Sequence, residues 1–187
     1  MTEFRNRYSR TAVLLHWLIA ALIVGNVLLA WSVDYLPDGW VRPVIDTHKS
    51  IGITVLGLAV MRLLWRLGHA PPPLPSAYPR WERLSAALAH AALYLLIFAL
   101  PLSGWLHDSA WKDAPTHPMR WFALFEWPRI PFILRLDPVT KESLHTLFGA
   151  LHTWSGYLLY ALLALHVGAA FKHQWIDKQP ELERMSL

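Results

Sequence analysis

No cysteine occurs among the 187 residues. That absence removes disulfides, thiolate metal sites, iron–sulfur ligation and the C-x-x-C-H attachment of a c-type haem. A basic stripe is also missing. The 17 Lys and Arg outnumber the 13 Asp and Glu to give a formal charge of +4, but they collect at the ends of apolar runs and form none of the patches or repeats that nucleic acid requires. Inside those runs the histidines have neither cysteine nor carboxylate beside them, which disfavours a four-ligand zinc centre. The chain does have 55% hydrophobic residues, 11 Trp and a mean hydropathy of +0.29, the composition of a membrane protein. It also has 10 His, so imidazole is the expected ligand for any redox centre, with Met second.

The most informative stretch is Leu151 to Phe171, an apolar run with His152 near one end and His166 near the other. Fourteen residues separate them, within about 40° of four full turns, so both leave one helix face roughly 21 Å apart along the axis. A bilayer core is about 30 Å thick, so such a helix places one imidazole toward each surface. Ionisable groups at that depth are functional candidates, because hydrocarbon offers them no water. The bland alternative is a hydrogen bond from each imidazole to a neighbouring helix.

Three further runs complete the pattern. The first, Thr11 to Val33, carries His16 at its start and exceeds the 7–15-residue core of a signal peptide, so a retained helix with a cytoplasmic N-terminus is expected. The second opens at His48 and closes with Arg62 and Arg66; Lys49 beside His48 is expected to snorkel to the outer surface. The third, Leu84 to Leu106, bears His90 and a kink-forming Pro101. Tyr35 to Val44 reads as a turn-rich link and HAPPPLPSAYPR as a stiff cytoplasmic connector. The long connection from His107 to Lys141 mixes both signs of charge with Trp111, Trp121, Phe122, Phe125 and Trp127, which suggests a segment lying on the membrane with at most one short amphipathic helix.

The expectation is a single all-α membrane domain over residues 1–187, a four-transmembrane-helix bundle with helices at about 11–33, 48–66, 84–106 and 145–171. Both termini would be cytoplasmic, with ten Lys and Arg, Arg5 among them, on the inner side against seven outside. Alternating directions sort the histidines into an inner layer of His16, His90 and His166 and an outer layer of His48 and His152. Bundle cores build cofactor sites from facing helices. A b-type haem needs no covalent link and can be held between two imidazoles, so two layers could hold two haems. Ala20, Ala21, Gly25, Gly52, Gly57, Gly149 and Gly156 would leave room for a porphyrin or serve close helix packing. His69, His107 and His117 are expected to be solvated, His145 at the surface and His173 at the inner interface.

YSRTAVLLHW, RPVIDTHKSIG, PPPLP, ALPLSGW, the His152 and His166 pair and IDKQPELERM occur in an order that resembles the prokaryotic cytochrome b561 family. The resemblance runs from about Tyr8 to Met185. It implies two b haems in four helices of the bacterial inner membrane, exchanging electrons with ubiquinone. By motif it carries the axial iron ligands to His16, His48, His152 and His166, paired as His48 with His152 and His16 with His166. Similar proteins also have histidine at the position of His90, whose role stays open between ligand, propionate partner and proton handling. Catalytic residues are unassigned. One branch of the family oxidises superoxide at the periplasmic face, so a superoxide:ubiquinone oxidoreductase is one reading, with Arg42 and Lys49 the only cations beside His48 to steer the anion. The other is a haem b relay or anchor subunit for a periplasmic redox partner associated with a hydrogenase, a dehydrogenase or an isoprenoid-binding protein.

Overall fold

The computed structural model describes residues 7–73 and 78–187. Arg5 and residues 74–77 of the proline-rich connector lie outside them. Four helices are long and apolar enough to cross a membrane: α1 (Arg10–Ser32), α2 (Asp38–Gly68), α3 (Arg80–Ala110) and α5 (Pro138–Phe171, prolonged by a π turn at Lys172–Ile176). The chain is an all-α multi-pass membrane protein. The broadest interface is between α3 and α5; α1 packs on α2, and α2 on α3. Large apolar side chains such as Leu14, Leu95, Trp154 and Leu165 remain exposed on the outside of the bundle, as a lipid-facing surface requires.

The helices are longer than the apolar runs. α2 begins at Asp38 and passes through Pro43, so the expected turn-rich link from Tyr35 to Val44 is largely helical. Pro43 lies within two turns of the helix start, where its missing N–H costs a single bond, and Asp38 is placed favourably in the first turn. α5 starts seven residues before the expected 145, at Pro138, behind the N-cap Asp137, whose carboxylate accepts from the backbone N–H of Val139 and Thr140. Those hydrogen bonds, Thr140 foremost, hold the Asp137 carboxyl below its ordinary range. α3 likewise runs past 106 to Ala110 and carries His107 and Asp108 into the helix.

The connection between α3 and α5 is docked on the end of the bundle as a lid and holds more regular structure than the one short helix expected. It contains a two-stranded antiparallel ribbon, β1 (Arg120–Trp121) with β2 (Phe125–Glu126), and the short helix α4 (Pro131–Leu134). Its polar groups find partners on the bundle end. The buried Ser50 hydroxyl of α2 donates to the Arg120 carbonyl and accepts from Phe122 N–H, which ties down a ribbon turn in which Phe122 and Ala123 both have positive φ. Trp121 Nε1 donates to Thr54, Trp105 Nε1 to the Pro128 carbonyl, and Ile130 N–H to Ser109. Asp108, 5% exposed, binds Lys49 at 2.6 Å and Arg129 at 2.8 Å. Lys49 is therefore folded inward onto a carboxylate and does not snorkel, because a buried anion is a better partner than the interface.

At the opposite end the two termini meet. Tyr8 N–H donates to the Arg184 carbonyl and Trp17 Nε1 to that of Met185. The short tail helix α6 (Glu181–Arg184) is anchored there, with Arg184 reaching the Pro72 and Pro73 carbonyls and Glu181 accepting from Tyr78. Burial, and then the Glu181 contact, push the Tyr78 hydroxyl above its usual range.

Candidate functional site: two histidine pairs at opposite ends of the bundle

At the lid end, His48 of α2 faces His152 of α5 with ring centres 6.1 Å apart and planes at 80°. His48 Nδ1 lies 3.2 Å from the Asn26 carbonyl and His152 Nδ1 3.0 Å from that of Leu100. A carbonyl only accepts, so each Nδ1 carries the proton and each Nε2 keeps its lone pair for a metal. These pairings depend on how α1 and α3 are rotated against α2 and α5, which no single segment expresses. Ser103 Oγ, 3.2 Å from His152 Nδ1, completes the setting. Gly104 allows the imidazole to pack here, because a Cβ at that position would meet the His152 ring at 3.3 Å. A cavity of about 720 Å³ opens between the two rings and continues toward the lid.

At the termini end, His16 of α1 and His166 of α5 have ring centres 6.3 Å apart. Two imidazoles on opposite sides of one metal ion, with bonds of about 2 Å and about 1.1 Å from each nitrogen to its ring centre, are separated by roughly 6.2 Å. Both pairs match that spacing. His90 of α3 lies closer to His166, at 5.3 Å, and does not match it. Among the described residues, none of these three imidazoles has a hydrogen-bond partner.

Arg62 lies within electrostatic reach of His16, His90 and His166. Its Nε donates to Tyr94 at 3.0 Å, while Nη1 is buried without a partner. A buried guanidinium nitrogen with no acceptor, in a bilayer-spanning segment, calls for an acceptor beside it. The carboxylates of a b-type haem meet that requirement, and the imidazole spacing meets the requirement of its iron. The residues present therefore fit haem at both ends.

Two expectations about the remaining histidines need correction. His107 and His145 are neither solvated nor at the surface: their rings stack at 3.8 Å, and each Nδ1 donates to the backbone carbonyl of the other residue, at 2.8 and 3.0 Å. The pair stitches α3 to α5 between the lid and His152. Gly149 exists for this stack and not for a porphyrin, since a Cβ there would come within 2.9 Å of the His107 ring. No signal within one segment could have found a contact between residues 38 positions apart. Gly25 and Gly57 have nothing within 4 Å of an added Cβ, so neither serves close helix packing, and neither lines the cavity between His48 and His152. His69 and His117 are exposed. His173 contacts Asp177 at 2.7 Å, and hydrogen bonds led by Lys172 hold the Asp177 carboxyl below its ordinary 3.8.

Among the described residues, Glu82, His173 and Asp177 are the one group of three potential donors within reach of a single ion. The Lys172 ammonium already bridges its two carboxylates, at 3.3 and 2.6 Å, and the group stands apart from both histidine pairs. Arg42 is also engaged, with Asp46 at 3.2 Å and with the Trp111 ring. Neither expected steering cation beside His48 is therefore free.

The family model for prokaryotic cytochrome b561 matches residues 7–186. Cytochrome b561 homolog 2 of Escherichia coli (strain K12) is 37% identical over 187 residues, covering 98% of this chain and 93% of that protein. Cytochrome b561 homolog 1 of the same organism is 29% identical, covering 96% and 97%. A protein of Yersinia pestis named probable superoxide oxidase CybB is 27% identical, covering 96% and 95%.

Proposed function

The chain belongs to the prokaryotic cytochrome b561 family of haem b membrane electron-transfer proteins, and we propose that it carries electrons between two bis-histidine b haems and ubiquinone. His48 and His152 would hold one haem, His16 and His166 the other. The observation that carries this reading is the separation of the two imidazole pairs, 6.1 and 6.3 Å.

When bound, haem supplies one-electron chemistry at iron. The chain's own part is orientation and exclusion. Carbonyl partners at Nδ1 fix the rings of His48 and His152 and raise their basicity. Haem held by two imidazoles would have no iron position left for oxygen and would supply electron transfer without binding small ligands. Arg62 would compensate a haem carboxylate at the termini end. Both termini lie at one end of the bundle, and with the excess of Lys and Arg there we assign that end to the cytoplasm of a bacterial inner membrane.

For the donor at the lid end, the name of the Yersinia pestis relative points to superoxide. With Lys49 and Arg42 paired to Asp108 and Asp46, steering of an anion beside His48 has little free charge to use. A relay from a periplasmic redox protein accounts better for a lid that is packed and internally neutralised. Superoxide-driven quinone reduction by the purified chain would favour the enzyme; stable co-purification with a soluble redox subunit would favour the relay.

The test of the main reading is an optical spectrum with a haem count per chain. Two six-coordinate, low-spin b haems are expected; one haem, or a high-spin spectrum, contradicts the pairing.

A further inference from the structure

We propose that the cleft between α2 and α3 at the termini end binds the headgroup of a lipid-soluble quinone, an inference that rests on the quinone-linked reading above. The cleft has a volume of about 690 Å³, inside the range of about 300–1,000 Å³ typical of small-molecule sites. Its α3 wall is a single helical stripe. Ala87 and Ala91 provide the width because nothing projects beyond Cβ, and His90 and Tyr94, four residues apart, bring polar atoms to the same face.

The chemistry of the lining selects the ligand. Tyr94 accepts from Arg62 Nε at 3.0 Å, which leaves its own O–H to donate. Arg66, stacked over the Tyr94 ring at 5.1 Å, adds a cationic donor. His90 has no hydrogen-bond partner among the described residues and can donate or accept. Donors on one wall and apolar surface elsewhere suit a flat ring bearing carbonyl oxygens. Leu63 and Leu95 at the mouth are 38% and 69% exposed on the lipid-facing side, so the entrance opens into hydrocarbon and suits an apolar tail.

Location supports the same occupant. The His90 ring, in the cleft wall, lies 5.3 Å from that of His166, so a headgroup here sits one side chain away from a proposed axial ligand.

The test uses the full-length haem-loaded protein in lipid nanodiscs and a short-tailed azido-ubiquinone as photoaffinity probe. Labelling is expected in the peptide from Ala87 to Phe98 or beside Arg66, displaced by excess ubiquinone and not by phosphatidylglycerol. Ala91→Phe, which fills the cleft, should lower labelling and the rate of haem reduction by ubiquinol at least tenfold with the visible spectrum unchanged. Arg66→Gln, which keeps the shape, should lower labelling several-fold, and it decides alone if Ala91→Phe loses haem. Labelling elsewhere, displacement by phosphatidylglycerol, or unchanged labelling in the deciding variants overturns the site. A parent protein that is reduced by ubiquinol but labelled elsewhere loses only the cleft; a parent neither reduced nor labelled loses the quinone reading as well.

Discussion

The two ends of the bundle hold histidine pairs of nearly equal spacing in unlike surroundings. At the lid end the histidines are committed: His48 and His152 are tied to backbone carbonyls and His107 and His145 to each other, while Asp108 binds Lys49 and Arg129 and the buried Asn26 Oδ1, Trp127 Nε1 and Arg129 Nη2 are left without a partner among the described residues. At the termini end His16, His90 and His166 have no hydrogen-bond partners among the described residues, and the Arg62 guanidinium is short of an acceptor. Tight second contacts orient a ligand in advance, whereas polar groups left unmatched in a bilayer await one. The histidines of the lid end are held by contacts already made. Those of the other end are not.

The largest expected effect would divide the two ends outright. His48→Ala or His152→Ala should remove one haem and spare the other, and His16→Ala or His166→Ala should do the reverse. A haem count with redox titration checks this; loss of both haems from a folded single variant would break the independence of the ends. His90→Ala should retain both haems, because its 5.3 Å spacing to His166 does not match a shared iron. If it instead loses a haem as His16→Ala does, the termini-end pair is misassigned.

A smaller effect should be confined to the lid. Asp108→Asn leaves Lys49 and Arg129 facing one another without their anion, and breaking a buried ion pair from one side costs about 3–5 kcal/mol. The expected result is a lower melting temperature and faster proteolysis within residues 111–137, with the His16 and His166 centre spectrally unchanged. Equal protease resistance in variant and parent would mean that the triad does not hold the lid.

The smallest effect belongs to the tail at the termini end. Asp177 has a folded pKa below its ordinary 3.8. Its contribution is therefore fully present above that value and is lost as the pH falls through the lower folded value. Protection factors for hydrogen exchange at residues 172–184 should stay high at pH 5 and fall only below about pH 4. Protection that does not change across that range would show that Asp177 does not hold the tail.

Much of the site was legible because membrane sequences obey short-range rules. Four apolar runs reveal four spans, and the spacing of His152 and His166 puts them on one face. Helix ends were less legible, since hydropathy marks where hydrocarbon begins and not where hydrogen bonding stops. The Asp137–Pro138 pair is a readable cap, but the residues that follow it are polar and read as loop. α2 has no such cap: Asp38 is its first residue, behind Pro37, and the prolines on either side hide the start.

Composition, hydropathy and helical period are local properties, and they were enough for the membrane class, the count of spans and the end of the bundle to which His16, His48, His152 and His166 belong. Rotation of one helix against another is not local. Only the assembled bundle chose His16 over His90 at the spacing opposite His166, turned Lys49 inward onto Asp108, and stacked His107 on His145. Each of these choices joins residues from separate helices, where the energy of a buried pair outweighs any preference that the flanking sequence of either partner expresses.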